Sequence, residues 1–383
     1  MRILTSRTRA LIGFAALGVW WGAFGAALPA IQGNADAGDA ELGLGLLLLG
    51  LGALVSMRAT GVLRDRAGPA LTPVAIGLFG LTGLLPALAD SPTELYLYLL
   101  VVGATSGSMD VAINADAVHE EVASARPLLN LAHASFSASV FFASLLTGLL
   151  RSVGAEPFAV FALVSALVVT AAVATRPGAV RPWTTAAEGE APRLIQGVPG
   201  WLLGLGLLGA MAFWIESAWQ NWGAVHLERS FDAGAGTSAL APALFAGAMA
   251  VGRLTVHRLA PPGSERTVLV AAAALTASGS ALAAYAGSEL VALVGILVAG
   301  AGCAVCAPTI ISIGGRAAKP RERATLVGSL TTLMYLGFVV GPAAVGGLAE
   351  LTTLRASLGS VAALALLLML LFTMVRFPSP TRG

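Results

Sequence analysis

The residues best suited to chemistry lie in the stretch GATSGSMDVAINADAVHEEVASARPLLNLAHASFSASVFFAS, residues 103–144. Gly103, Gly107, Asp110 and Asn114 stand at i, i+4, i+7 and i+11, the spacing of one helix face. After a short charged turn, Asn130, His133, Ser137 and Ser144 form a second polar stripe. A carboxylate, an amide and an imidazole inside apolar helices are costly in lipid, and ordinarily face a bundle interior or a watery cavity. Two uses fit. The groups can act as hydrogen-bonding glue between helices, or they can form a solute-binding and proton-relay site.

A second polar set lies further along. Gly209, Phe213, Glu216 and Gln220 share one helical stripe, with Trp214, Trp219 and Trp222 around it and Asn221 adjacent. Trp222 reads as an interfacial anchor, and Trp219 as either anchor or site residue. The Trp20–Trp21 pair suits stacking against an apolar or sugar ring, and equally suits core packing. Asp116, Glu120 and Glu121 are expected to solvate a helix end or to pair with Arg126. Cys303 and Cys306 have CxxC spacing without a second ligand pair, and read as small packing residues. Neither a nucleotide-binding GxxxxGK[ST] run nor a nucleophile motif is present.

The elements that position these groups follow from composition. Of the 383 residues 57% are hydrophobic and only 11% charged. A soluble domain has about a quarter charged residues, so this is a membrane protein. The 46 glycines suit close helix contact rather than disorder. A net charge of +2 spread over loops gives nucleic acid no basic patch.

Apolar segments long enough to span a bilayer fall near 10–31, 40–57, 71–89, 94–118, 127–150 and 156–175. Six more follow near 199–226, 237–256, 267–286, 290–314, 325–348 and 352–375. The basic start and first apolar run could pass for a signal peptide, but the many later spans favour a retained first helix. Placing both termini in the cytoplasm puts 19 of the 22 basic residues inside, leaving only Arg151, Arg229 and Arg355 outside. Residues 179–198, rich in Pro, Gly, Ala and charge, read as a cytoplasmic linker between six-helix halves at 1–178 and 199–383. On this topology Asp110 lies eight residues from the inner end of its span and His133 six, or about 12 and 9 Å. The short turn between those spans predicts antiparallel neighbours able to share a proton.

The halves echo each other: GVLRDRAG, from Gly61 to Gly68, recurs as GRLTVHRLAPPG, from Gly252 to Gly263. Gly61, Leu63, Asp65, Arg66 and Gly68 resemble the GxLxDRxG signature between helices 2 and 3 of the major facilitator superfamily. The second copy keeps Gly252, Arg253, Leu254 and Arg258, with His257 but no acid. GFVVGPAAVGG, from Gly337 to Gly347, resembles a glycine–proline motif of drug antiporters, here on helix 11 rather than helix 5. WWGAFGAALPAIQ, MDVAINADAV, RPLLNLAHASFS and WIESAWQNWGAVHL resemble an uncharacterised inner-membrane branch of the superfamily related to fucose permease. That resemblance implies proton-coupled binding at Asp110, with Asn114 four residues on. Gly25 stands where those permeases carry an acid, which speaks against fucose itself. It also implies that Asp65 latches the halves outward-facing against the start of helix 11. The alternative is a topogenic loop whose arginines hold orientation.

The expectation is an all-α membrane protein of twelve transmembrane helices in two pseudo-symmetric six-helix bundles, monomeric, in the inner membrane, and using no cofactor. Its partners are the lipid bilayer, a small-molecule substrate and protons. Its expected activity is secondary active transport of a small organic solute by alternating access, driven by the proton gradient. Asp110, Asn114, His133, Ser137, Glu216, Gln220, Asn221, Trp20 and Trp21 are the candidate substrate or proton residues, and Gly61, Asp65, Arg66, Gly68, Gly252 and Arg253 the candidate gate. Drug or metabolite efflux is the alternative direction, and a non-transporting membrane sensor the alternative class. Reporter fusions at Gly383 and within 179–198 are expected to report a cytoplasmic location for both. A periplasmic C-terminus would overturn the assignment.

Overall fold

The computed structural model describes residues 4–124, 126, 128–176, 200–261, 263–317, 323–375 and 377; the expected linker at 179–198 lies outside them. Among the described residues, twelve helices are long and apolar enough to cross a membrane. In the first half they are α1 (Ser6–Asn34), α2 (Asp39–Ala67), α3 (Leu71–Thr82), α4 (Pro92–Ser124), α5 (Leu129–Ser152) and α6 (Pro157–Ala174). The second half holds α7 (Gly200–Phe231), α8 (Leu240–Leu259), α9 (Glu265–Ala284), α10 (Glu289–Cys303, continued as Cys306–Ala317), α11 (Arg323–Leu351) and α12 (Leu354–Met374). Several run longer than their apolar cores. The GxLxDRxG stretch is not a loop: residues 61–67 form the last turns of α2.

The packing repeats between halves. α1 lies on α5 as α7 lies on α11, α2 on α4 as α8 on α10, and α3 on α6 as α9 on α12. Lipid offers no hydrophobic drive between helices, so close backbone approach supplies the contact. A Cβ on Gly103 of α4 would stand only 1.9 Å from the Leu49 carbonyl oxygen of α2. Its counterpart on the α8–α10 seam is Gly252, where a Cβ would meet the Ala301 carbonyl oxygen at 2.6 Å.

The halves meet along α2–α11, α5–α8 and α1–α7. On the side opposite the termini the contact is tight: Gly43 of α2 sits against Ala343 and Gly346 of α11, and Gly50 against Val339. Two ion pairs cross there. Arg229 of α7 donates to Asp39 of α2, whose carboxylate also accepts from Gln32 at 3.0 Å. Arg151 of α5 donates to Glu228 of α7 at 3.0 Å and to the Ala26 carbonyl at 2.7 Å. Nearer the terminal side, a Cβ on Gly61 of α2 or on Gly328 of α11 would meet nothing within 4 Å.

These pairs are expected to hold the opposite side shut. Asp39 is buried while Arg229 is half exposed, so losing the pair should cost about 1–3 kcal/mol, between the exposed and buried cases. Spin labels at Gly33 and Gly234, both exposed and on different halves, should give a longer mean distance in an Asp39→Asn/Glu228→Gln variant. The swap Asp39→Arg/Arg229→Asp should restore the shorter one. Identical distance distributions in all three proteins would show that the ion pairs do not set the closure.

Candidate functional site

α4 is continuous through Asp110, with Met109 and Ala112 buried on its packed side and Asp110 and Asn114 half-buried. The Asn114 amide donates to the Asp110 carbonyl at 2.9 Å and to its carboxylate Oδ1 at 3.1 Å. α7 repeats the arrangement, with Gln220 Nε2 donating to Glu216 Oε1 at 3.0 Å. Glu216 is buried, at 8% exposure. Each half thus carries a carboxylate with a neutral amide four residues on, where a helix makes such pairs neighbours.

Tyr335 of α11 lies within range of the charges of both Asp110 and Glu216, so the two pairs converge on one region. Beside it, Phe213 packs on Tyr335 and Phe338 with ring centroids 5.6 and 4.4 Å apart. The Arg253 charge on α8 reaches Glu216 and, across the halves, His133 on α5. The region therefore combines two amide-held carboxylates, a guanidinium, an imidazole and an aromatic wall. Such a set can bind a polar organic solute and hold or release protons.

Several expectations need correction. Asp110 and His133 do not form a pair of neighbours, because α4 packs chiefly on α2 and α5 on α1. His133 meets the Phe14 edge instead, at 5.0 Å between ring centroids. Asp116 pairs with Arg64 of α2, not Arg126, and Arg64 also donates to the Gly68 carbonyl. Glu121 caps α5 through the Leu128 and Leu129 amides, at 2.6 and 3.0 Å. Trp222 is not an interfacial anchor: it is fully buried and donates to the Pro342 carbonyl at 3.2 Å. Arg253 stands within the polar region rather than at a remote gate.

The remaining candidates have defined places. Ser137 is buried on α5, and Ser144 donates to the Gly22 carbonyl of α1 at 3.0 Å. Asn221 is buried and bonds the Ser217 carbonyl of its own helix at 2.8 Å. Trp20 is fully buried, donating to the Gly83 carbonyl at 2.9 Å and stacking on Phe24 at 4.7 Å, which makes it core of the first half. Trp21 is half-buried, edge-on to Trp20 at 5.2 Å. Trp219 donates to Ser280 of α9 at 2.9 Å. The side chains of Asp65, Arg66, Asn130 and His257 lie outside the described residues. Tyr335 was missed because an isolated tyrosine on a strongly apolar helix carries no periodic signal.

Residues 263–383 match the family model of the Major Facilitator Superfamily. An uncharacterized MFS-type transporter of Yersinia pestis is 29% identical over 93% of this chain and 92% of its own length. An uncharacterized transporter of Sinorhizobium fredii is 28% identical over 92% of this chain and 94% of its own. In fold, the chain is similar to a point mutant of the nucleoside transporter NupG, with a TM-score of 0.82 at 13% identity, over 97% of this chain and 99% of that one. With twelve helices long and apolar enough to cross a membrane among the described residues, relatives of this kind along nearly the whole chain and that family match in its second half, the chain is similar to transporters of the Major Facilitator Superfamily.

Proposed function

We propose that the transporter moves a small organic solute by alternating access and couples this movement to protons held at Asp110 and Glu216. One observation carries the reading. Each half places a carboxylate inside a membrane span, bonded to its own i+4 amide, and among the described residues neither joins an ion pair. An amide partner stabilises a carboxyl group in either protonation state, whereas a bound guanidinium would hold it charged. Asp116, fixed on Arg64, is the contrasting case and has no part in coupling.

The ion pairs that clasp the opposite side support a site that opens towards the terminal side in this state. With the termini in the cytoplasm of an inner-membrane protein, as the arginine distribution favours, that open face is the cytoplasmic one. In the alternate state we assign closure of the terminal side to Asp65, docking on the positive N-terminal end of α11.

Asp110→Asn is expected to reduce proton-driven accumulation to background while preserving exchange of solute across the membrane. The amide keeps a hydrogen bond to solute but cannot alternate between charge states. Reconstituted vesicles, loaded with the solute found by comparing the contents of cells with and without the protein, allow both measurements on one preparation. Accumulation at the wild-type rate across a proton gradient would reject Asp110 as the coupling group.

A further inference from the structure

Arg253 is held in an unusual way. Pro308 on α10 has no N–H to give the carbonyl four residues before it, and that carbonyl belongs to Ala304. α10 breaks there, between Cys303 and Cys306. Because Gly252 has no side chain, α8 lies close against this break. Arg253 Nε then donates to the freed Ala304 oxygen at 3.1 Å.

That bond uses the inner edge of the guanidinium; among the described residues its two terminal nitrogens, the planar fork that grips an oxyanion in bidentate fashion, make no hydrogen bond of their own. Among the described residues no carboxylate ion-pairs with Arg253, although it is only half-exposed. Its charge acts on Glu216, already tied to Gln220, and on His133 from the other half. Leaving a cation of limited exposure without a contact anion is costly, and a bound anion would relieve that cost. The remaining polar pair, Asp110 with Asn114, belongs to the other half and accepts or donates hydrogen bonds.

We propose that Arg253, together with His133 of the other half, forms a carboxylate-binding subsite, and that the transported solute is a small organic acid bearing a hydroxyl or amine for Asp110 and Asn114. The inference rests on the transporter reading but not on proton coupling. Binding of the acid group joins α8 and α10 of one half to α5 of the other, so an occupied site would tie the halves together.

The test is thermal unfolding of the purified full chain with matched probes at equal ionic strength: gluconate against sorbitol, and 4-hydroxybutyrate against 1,4-butanediol. Each acid is expected to raise Tm above its neutral partner in the wild type. Arg253→Gln should lose that difference, and Arg253→Lys should weaken apparent affinity about tenfold, since an ammonium cannot make the bidentate contact. Equal shifts from acid and alcohol in the wild type, or full acid-specific shifts in Arg253→Gln, would overturn the subsite. If Arg253→Gln does not fold, the wild-type comparison and Arg253→Lys still decide. Unfolding reports occupancy and not coupling, so this failure is separable from loss of the proton-coupled reading, which is judged on accumulation.

Discussion

The two halves are tied on the side opposite the termini by a short stretch of charge at the end of α7. Glu228 and Arg229 are adjacent, and each reaches into the other half, to Arg151 and Asp39 respectively. Adjacent residues on a helix point in different directions, so the two pairs engage α5 and α2 on separate sides of α7. Two attractions with divergent directions restrain relative rotation of the halves, which one alone would not. Opposite-sign ordering also disfavours a shifted register, because a slip would bring like charges together. The clasp explains a peculiarity of the charge distribution as well. The three basic residues on the side opposite the termini are each engaged: Arg151 and Arg229 in the clasp, and Arg355 on the Ala286 and Ser230 carbonyls, at 3.2 and 3.1 Å. Retaining positive charge on that side runs against the topogenic bias, and each of these arginines makes a specific contact there.

The interior separates into charges that are consumed and charges that are available. Arg64 and Asp116 belong to the first kind, since the cation and its partner satisfy each other and lock α2 to α4. Asp110 and Glu216 belong to the second. Their amide partners lie on the same helix, so the bond forms without committing a group from another helix. A local amide lowers the cost of a buried carboxyl, yet leaves its second oxygen for a ligand or a proton. On the proposed function, that difference, rather than burial itself, would separate a coupling carboxylate from a structural one.

What was legible in the sequence followed from periodicity and hydropathy. Twelve spans and the i+4 pairs on α4 and α7 depend on residues near one another in the chain. The failures concern contacts between distant segments. Asp116 finds its partner 52 residues away, which spacing cannot reveal. The assumption that a short turn makes packing neighbours failed for α4 and α5, because α1 inserts itself as the main partner of α5. Trp222 lies near a helix end, where an interfacial role is the usual expectation. It is buried because α7 is a central helix, flanked by α11, α12, α8 and α1. Arg253 was placed at a gate by analogy with the first motif copy, whereas Pro308 was the residue that signalled an orphaned carbonyl in need of a donor.

The two motif copies show how a duplicated element can diverge into different physics. In the first, an arginine follows the glycine by three residues, Gly61 to Arg64; in the second it follows directly, Gly252 to Arg253. Two positions along a helix correspond to a rotation of about 200°, so the arginines leave their helices on nearly opposite sides. Arg64 turns into its own half and is neutralised by Asp116. Arg253 is anchored on a backbone oxygen, which carries no full charge to neutralise it, and lies between Glu216 and the opposite half. Moving the arginine within the motif thus changes it from a strut within one bundle to a cation facing the region between two. The asymmetry matters for transport, because perfect two-fold equivalence would give a site the same electrostatic character on both walls. Here one wall offers a carboxylate and its amide, while the other adds a guanidinium to the same pattern, so a bound solute with unlike ends would meet the halves in a single orientation.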